Sequence, residues 1–221
     1  LKAYEIPSDI RYLAIAESGL QNVVSPAGAR GVWQFMKETA QHYGLTVNNS
    51  VDERYDIELA THAACKYLTF LNKKYKDWPL AAAAYNMGQG ALDAELKQQQ
   101  VESYFDLFLN EETSRYVFRI LSYKLICEDP MQYGFYLRPD DLYPEIPVDT
   151  LRVDTNVTDM VLFAQKQGTT LKMIRNLNPH LRKSAIELKA NESIRIFVPS
   201  LSQKAKPVQL DSTVFVRNLN E

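Results

Sequence analysis

The stretch AIAESGLQNVVSPAGARGVWQFM, residues 14–36, decides how the first half of the chain is interpreted. Just before it, Ile10 and Leu13 mark one face of a predicted helix that ends near Gly19. Glu17 occupies the next position of the same apolar stripe. A carboxylate on an apolar face carries a desolvation cost, so Glu17 is a candidate functional group.

The position of Glu17 favours its protonated form for two reasons. Burial raises the pKa of a carboxyl group, and the negative end of the helix dipole also disfavours a carboxylate in the last turn. A proton held near neutral pH is what a general acid needs. The alternative is a structural carboxylate that pairs with a buried arginine or caps a backbone amide, and this helix alone does not decide between the two.

The segment SPAGARGVWQFM, residues 25–36, combines a turn of small residues with a run of large ones. Small residues let the backbone approach a ligand closely. We expect a second helix to begin at Trp33 and end at Gly44, with Gln34 and Met36 supplying an amide and a soft apolar contact. The alternative is a glycine-containing turn before an ordinary core helix.

Two later motifs carry further polar side chains at helix ends. AYNMG, residues 84–88, presents the phenol of Tyr85 and the amide of Asn86 after four alanines that permit close helix packing. ETSRYV places Glu112 at a helix start, where the dipole favours an acid, and Tyr116 one turn later. Phenols and amides suit a sugar polymer, whereas the alternative for Glu112 and Tyr116 is an ordinary cap and a core tyrosine.

These motifs occur together in the order seen in a known family. ES at residues 17–18, SPAGARGVWQFM, AYNMG and ETSRYV resemble the soluble-type lytic transglycosylases, and most of all their membrane-bound type D branch. The resemblance covers about residues 5–130. One departure is the step from Glu17 to Ser25, which is one residue shorter than is common in the family.

The resemblance implies a lysozyme-like helical domain that cleaves the glycan strands of peptidoglycan between N-acetylmuramic acid and N-acetylglucosamine without adding water. Glu17 would protonate the leaving oxygen and then act as the base that helps the muramic 6-hydroxyl close a 1,6-anhydro ring. Ser18 and Glu112 would support the site, and no metal or organic cofactor is implied. The residues expected to line the glycan groove are Ser25, Gln34, Met36, Tyr85, Asn86 and Tyr116.

The distribution of the other acids agrees with a reaction that needs no water. Hydrolytic glycosidases usually have a second carboxylate close to the acid. Asp52, Glu53 and Asp56 fall in a connecting segment and Glu38 on a polar helix face, so we interpret them as solvent-facing. A single buried acid is compatible with attack by a hydroxyl of the substrate itself.

Charge and pattern divide the 221 residues into parts. Residues 1–135 carry 13 Lys and Arg against 17 Asp and Glu, whereas residues 151–200 carry 8 against 4. The predicted fold class is mainly α: a helical catalytic domain over 1–135, a proline-rich linker over 136–150, and a small βααβ domain over 151–200. The tail, residues 201–221, holds one candidate strand, TVFVR.

The small domain resembles a LysM module, which binds glycans that contain N-acetylglucosamine. QGTTLKMIRNLNP matches that family's turn, helix and Leu-Asn pair, with Thr169 where Asp is usual, and SIRIFVP matches its closing strand. Its positive charge would favour an anionic cell wall. The alternative is a small packing domain that has lost glycan binding.

Composition excludes several classes of function. A net charge of -2 argues against nucleic acid as a partner, and three scattered histidines form no metal-ligand spacing. Cys65 and Cys127 lie in apolar helical contexts and are interpreted as buried thiols. No run of residues suits a membrane span or a signal peptide.

The resemblance also carries expectations about location and assembly. It implies a monomer in the periplasm, with any outer-membrane anchor attached upstream of Leu1, and peptidoglycan glycan strands as its partner. Two rival functions stay open: a muramidase of the same fold that uses water, as goose-type lysozymes do, and a glycan-binding protein with a silent active site.

Overall fold

The computed structural model of the chain describes residues 1–189 and 192–200, and these divide into two units. The first unit comprises residues 1–143 together with the short segment 179–183. The second unit contains the other described residues. Each unit has its own buried core, so each is described by itself.

The first unit is helical, and six α-helices account for about half of its described residues. They are α1 (Arg11–Ser18), α2 (Lys37–His42), α3 (Ile57–Tyr75), α4 (Trp78–Met87), α5 (Gln89–Gln99) and α6 (Glu111–Glu128). Short 3₁₀ turns lie between several of them. No helix in the described part of the chain is long and apolar enough to cross a membrane.

Capping side chains mark where the longer helices begin. Asp56 accepts a hydrogen bond from the backbone N–H of Leu59 at the start of α3, and Asn110 accepts one from Thr113 at the start of α6. Such caps satisfy backbone donors that have no partner inside the helix. The α1 helix ends at Gly19, whose N–H donates to the carbonyl of Ile15 over 2.8 Å, as predicted.

The core of the first unit packs around α4. Its four alanines, residues 81–84, are at most 2% exposed, and α4 contacts α3, α5 and α6. Leu13, Leu68 and Leu92 are fully buried against the same core. Small side chains let three helices approach α4 closely, and this brings the ends of α1, α4 and α6 together.

Two details of the first unit differ from the sequence predictions. Helix α5 was not predicted, because Leu92 is its one fully buried side chain and its apolar periodicity is weak. Cys65 is buried as expected, but the prediction for Cys127 was wrong, since its side chain is exposed. Cys127 lies in the last turn of α6, beyond the part of that helix that packs on the core.

The second unit has the order strand, helix, helix, strand that was predicted. Its elements are β1 (Val148–Val153), α7 (Met160–Lys166), α8 (Leu171–Leu177) and β2 (Ile194–Pro199). The two strands are antiparallel, with Leu151 opposite Ile196, and β1 begins three residues earlier than expected. The candidate strand at 213–217 lies outside the described residues.

Asn178 connects the second helix of this unit to its closing strand. The side chain is fully buried, and its amide donates to the carbonyls of Ile174 and Phe197 and accepts from the N–H of Phe197, all within 2.8 Å. Ile174 and Ile196 are fully buried beside it. The predicted fold class, a mainly α chain with a small βααβ unit, is therefore confirmed.

Candidate active site

The candidate acid, Glu17, lies in the last turn of α1. One turn earlier, Leu13 and Ala14 are buried in the core, so the same helix face carries Glu17 toward the interior. Glu17 itself is half-buried. The stripe that the sequence indicated is real, and Glu17 lies at its end.

Tyr116 contacts this carboxyl group directly. Its phenol, on the first turns of α6, donates a hydrogen bond to Oε1 of Glu17. Tyr116 is 1% exposed, so the donor is held in the core and water does not compete for it. Of the two phenols expected at the groove, Tyr85 and Tyr116, Tyr116 donates this hydrogen bond.

Burial raises the pKa of Glu17 from 4.5 to about 7. Desolvation is the largest cause, and the hydrogen bond from Tyr116 opposes it by stabilising the carboxylate. The negative charge of Glu112 raises the pKa further, whereas the positive charge of Arg119 lowers it. Both protonation states are therefore accessible near neutral pH, as a group that serves first as acid and then as base requires.

Ser18 connects α1 to the segment that follows it. Its hydroxyl is 2.8 Å from the carbonyl of Val32 and 3.2 Å from that of Ala14. The bond to Val32 joins the end of α1 to the loop at residues 25–36. This contact positions the end of α1 against the loop, and the supporting role of Ser18 in the site stays a prediction.

The loop at residues 25–36 differs from the prediction at its C-terminal end. Gln34 does not lie in a helix: its φ is 49°, and the backbone pairs Arg30 with Phe35 in an antiparallel bridge. Helix α2 begins only at Lys37, with Met36 as its N-cap. The prediction that Trp33 begins a helix was wrong because this hairpin-like closure uses the backbone groups that a helix would need.

The polar side chains of this loop mainly stabilise the loop itself. The amide of Gln34 donates to the carbonyls of Gly31, over 2.8 Å, and Val23, over 3.2 Å. The hydroxyl of Ser25 accepts from the N–H of Ala29 over 3.0 Å. Met36, by contrast, is 42% exposed and free to contact a ligand.

A buried arginine, Arg54, anchors the loop at residues 25–36. The sequence did not indicate this role. Arg54 is 4% exposed, pairs with Asp52 over 2.8 Å and donates to the carbonyl of Phe35 over 3.2 Å. Gly31 lies against the backbone carbonyl of Arg54, where there is no room for a side chain. The interpretation of Asp52 and Asp56 as solvent-facing was therefore wrong, since both are at most 5% exposed.

Asn86 connects helix α4 to helix α6. Its Oδ1 accepts from the hydroxyl of Thr113 over 2.8 Å, and its Nδ2 donates to Oε1 of Glu112 over 3.1 Å. Thr113 is 1% exposed, so the amide is held in one orientation. Asn86 thus positions the exposed carboxylate of Glu112, whose charge acts on Glu17.

Tyr85 connects α4 to the loop at residues 25–36. Its hydroxyl donates to the carbonyl of Trp33 over 2.8 Å, and burial together with the nearby charge of Glu17 holds its pKa well above the usual range. Tyr85 therefore stays a neutral phenol. Among the described residues, no group of three or more His, Cys, Asp or Glu side chains is placed to hold a metal ion.

Comparisons with known proteins indicate which families the two units resemble. Residues 2–108 match the family described as the transglycosylase SLT domain. This part of the chain is similar to an SLT domain. Residues 149–202 match the soluble lytic transglycosylase C-terminal LysM-like domain. The resemblance found in the motifs is therefore confirmed.

Two curated relatives and one solved structure are similar to this chain. Membrane-bound lytic murein transglycosylase D of Escherichia coli (strain K12) is 28% identical over 192 residues, which are 84% of this chain and 42% of that protein. Peptidoglycan transglycosylase gp16 of Escherichia phage T7 is 36% identical over 112 residues, 48% of this chain and 8% of that protein. The chain thus spans less than half the length of either relative.

The solved structure is the lytic transglycosylase Slt of Pseudomonas aeruginosa. It is 23% identical, with a TM-score of 0.49 over 65% of this chain and 25% of that one. The SLT match itself ends at residue 108, before Glu112 and Tyr116. The hydrogen bond from Tyr116 to Glu17 nevertheless joins α6 to the candidate acid inside the matched region.

Proposed function

We propose that this chain is a peptidoglycan lytic transglycosylase in which Glu17 is the catalytic residue. Glu17 donates its proton to the oxygen that links muramic acid to N-acetylglucosamine, and the bond from that oxygen to C1 of muramic acid breaks. The resulting carboxylate then takes the proton of the 6-hydroxyl of the same muramic residue as its oxygen bonds to C1. The product is a 1,6-anhydro ring, and no water is consumed.

The observation that carries the proposal is the environment of the Glu17 carboxyl group. Its pKa of about 7 lets it hold a proton for the first step, and the hydrogen bond from Tyr116 supports the carboxylate in the second. Because the phenol of Tyr116 is bound to one carboxyl oxygen, it also orients the other. The Glu17 carboxyl group can then donate a proton in the first step and accept one in the second without a change in fold.

The arrangement of the other acids supports attack by the substrate's own hydroxyl. The carboxylate of Asp52 is bound to the guanidinium of Arg54 at 2.8 and 2.9 Å, so it is not available as a nucleophile. Glu112 is held by Asn86 at the surface. A glycosidase that used water would need a free carboxylate as nucleophile or base.

The domain matches support the choice of polymer. An SLT domain followed by a LysM-like module agrees with a glycan substrate, and the names of the two relatives specify murein and peptidoglycan. We infer that the protein acts in the periplasm, where that polymer lies. Ser25, Gln34 and Tyr85 would shape the groove, and Met36 would touch the glycan; a monomeric state and an outer-membrane anchor stay predictions.

Mass spectrometry of digested cell walls tests the reaction. We expect purified sacculi treated with the protein to release muropeptides with 1,6-anhydro ends, and digestion in ¹⁸O-labelled water to leave those ends unlabelled. Glu17→Gln should lower the rate by about 10²- to 10⁴-fold, as loss of a general acid and base does. Glu102→Gln, a change at an exposed glutamate outside the site, is the matched control and should keep full activity.

The rival functions give different results in the same assay. Labelled reducing muramic ends would identify a muramidase that uses water and would overturn the proposal. Retention of the protein on insoluble peptidoglycan, with solubilisation absent from the start and unchanged by Glu17→Gln, would identify a binding protein with a silent site.

A further inference from the structure

The short segment at residues 179–183 belongs to the first unit, although residues 178 and 184 on either side of it belong to the second. The same segment lies inside the region that matches the LysM-like family, residues 149–202. Two of its side chains, His180 and Leu181, are 3% and 2% exposed. The mechanism above assigns this buried segment no role.

The backbone of the 179–183 segment pairs with residues 50–52. Leu181 lies opposite Val51 in an antiparallel bridge. On one side of this pair the N–H of Asp52 donates to the carbonyl of His180 over 2.9 Å, and a hydrogen bond of 2.8 Å closes the other side. A strand added in this way satisfies backbone groups and fixes the register of both partners. The segment therefore holds the backbone of Asp52 in place.

Two side chains of the segment extend this contact. The guanidinium of Arg182 lies over the ring of Tyr55, 4.6 Å from its centroid. Nδ1 of His180 is 3.9 Å from the carboxylate of Asp56, the N-cap of α3. A cation over an aromatic face adds a modest attraction. The segment thus contacts the chain both before and after Arg54.

Arg54 connects the paired residues to the loop at residues 25–36. Its guanidinium donates to both carboxylate oxygens of Asp52, over 2.9 and 2.8 Å. The same guanidinium donates to the carbonyl of Phe35 over 3.2 Å. A guanidinium in a bidentate pair has a fixed direction. The position of Asp52 therefore determines where Arg54 meets the loop.

The loop in turn contacts two helices at the candidate active site. The carbonyl of Val32 accepts from the hydroxyl of Ser18, the residue after Glu17, over 2.8 Å. The carbonyl of Trp33 accepts from the hydroxyl of Tyr85, also over 2.8 Å. A site keeps its geometry only where the groups behind it are held as well. A continuous series of contacts thus runs from the 179–183 segment to both of these helices.

We propose that the 179–183 segment is a positioning element of the candidate active site. By pairing with residues 50–52 it holds Asp52 and Arg54, and through them the loop at residues 25–36. The proposal rests on the proposed function, because the position of the loop matters only if the groove binds a glycan strand. It gives five residues of the LysM-like region a role in cleavage that is separate from glycan binding by that region.

Amide hydrogen exchange and steady-state kinetics of the full chain test the proposal. Leu181→Ala removes the buried side chain of the segment. We expect exchange in residues 25–36 to become about 5-fold faster, whereas exchange in α5 should not change. The KM for glycan strands should rise by about 3- to 10-fold, with kcat within about 2-fold. The alkaline limb of the pH profile should stay in place, since Tyr116 and Glu112 belong to α6 and not to this series of contacts.

Three further variants separate positioning from a general loss of stability. Leu181→Ile keeps the side-chain volume and should restore both the exchange rate and KM. Lys183→Ala, at an exposed position of the same segment, is the matched control and should behave as the unmodified chain. Arg182→Ala removes the contact with the Tyr55 ring from the exposed side. It should give a smaller effect of the same kind, and it tests the proposal even if Leu181→Ala does not fold.

The positioning role and the proposed function can fail separately. Unchanged exchange in residues 25–36, or faster exchange there with an unchanged KM, would overturn the positioning role while anhydro ends still form. A fall in kcat at constant KM, with faster exchange throughout the first unit, would also overturn it, since this is a general loss of stability. Conversely, reducing ends from a protein whose loop exchange and KM respond to Leu181→Ala would support the positioning role and reject the transglycosylase reaction.

Discussion

The phenol of Tyr116 donates a hydrogen bond to the Glu17 carboxyl group across a sequence separation of 99 residues. Tyr116 is buried and Glu17 is half-buried, so the bond lies where water does not screen it. It stabilises the carboxylate, whereas burial and the charge of Glu112 stabilise the protonated form. The pKa of about 7 is the balance of these effects, and each can be changed separately.

Tyr116→Phe should raise the pKa of Glu17, because it removes the hydrogen bond that favours the charged form. The first step needs protonated Glu17, so activity falls as pH rises through this pKa. We therefore expect the alkaline limb of the pH profile of kcat/KM to move to higher pH. Tyr104→Phe is a matched control, since that phenol binds only backbone carbonyls of α6, at 2.7 and 2.8 Å. An alkaline limb that stays in place or moves down would contradict this account.

Glu112→Gln should move the same limb in the opposite direction. The change removes a negative charge that raises the pKa of Glu17 but keeps an oxygen that can accept from Asn86. Because Glu112 is exposed, the shift should shrink at high ionic strength. Glu111→Gln, one residue earlier and paired with Arg115 over 2.9 Å, should leave the profile unchanged. Equal shifts in both variants would show that the effect is not specific to Glu112.

Glu17→Gln should make the protein more stable at neutral pH while it strongly lowers activity. Below pH 4.5 the carboxyl is protonated in both the folded and the unfolded chain, so it contributes no pH dependence there. Between pH 4.5 and about 7 the unfolded chain releases the proton and the folded chain keeps it, so the free energy of unfolding falls as pH rises. In the variant the free energy of unfolding does not fall in this way. Above pH 7 it should therefore be roughly 2–3 kcal/mol higher than in the unmodified chain.

Urea unfolding at pH 4 and pH 8 measures that difference. The two proteins should be nearly equal at pH 4 and differ most at pH 8. A variant that is less stable than the unmodified chain at pH 8 would show that burial does not disfavour the Glu17 carboxylate.

Gly31→Ala should destabilise the first unit, because the new methyl group would lie 1.9 Å from the carbonyl oxygen of Arg54. The residue also has a φ of 79°, which costs a residue with a side chain additional energy. We expect a loss of about 2–4 kcal/mol in the free energy of unfolding. Gly28→Ala is the control, since φ is 88° there but no atom lies within 4 Å, so only about 1–2 kcal/mol should be lost. Equal melting temperatures for the two variants would reject the steric explanation.

Much of the fold followed from local pattern. The apolar stripe of α1, the alanines of α4 and the order of elements around β1 and β2 are features of neighbouring residues, so periodicity and caps identified them. The loop ending at Met36 was mistaken for a helix start, because its bridge depends on Arg54, which lies further along the chain. Helix α5 was missed because it presents little apolar surface to the core.

The sequence by itself determined that a carboxyl group lies on an apolar helix face. The order of its motifs was enough to indicate the family that the helical domain resembles. It could not determine which groups surround that carboxyl, since hydrogen bonds and charges act across space between residues far apart in the chain. Only the tertiary structure decided that the Tyr116 phenol donates to the Glu17 carboxyl group. It also decided that Asn86 positions Glu112 and that the Asp52 carboxylate pairs with the Arg54 guanidinium. The pKa of Glu17 is set by this packing, because burial and neighbouring charges together fix the free energy of its proton.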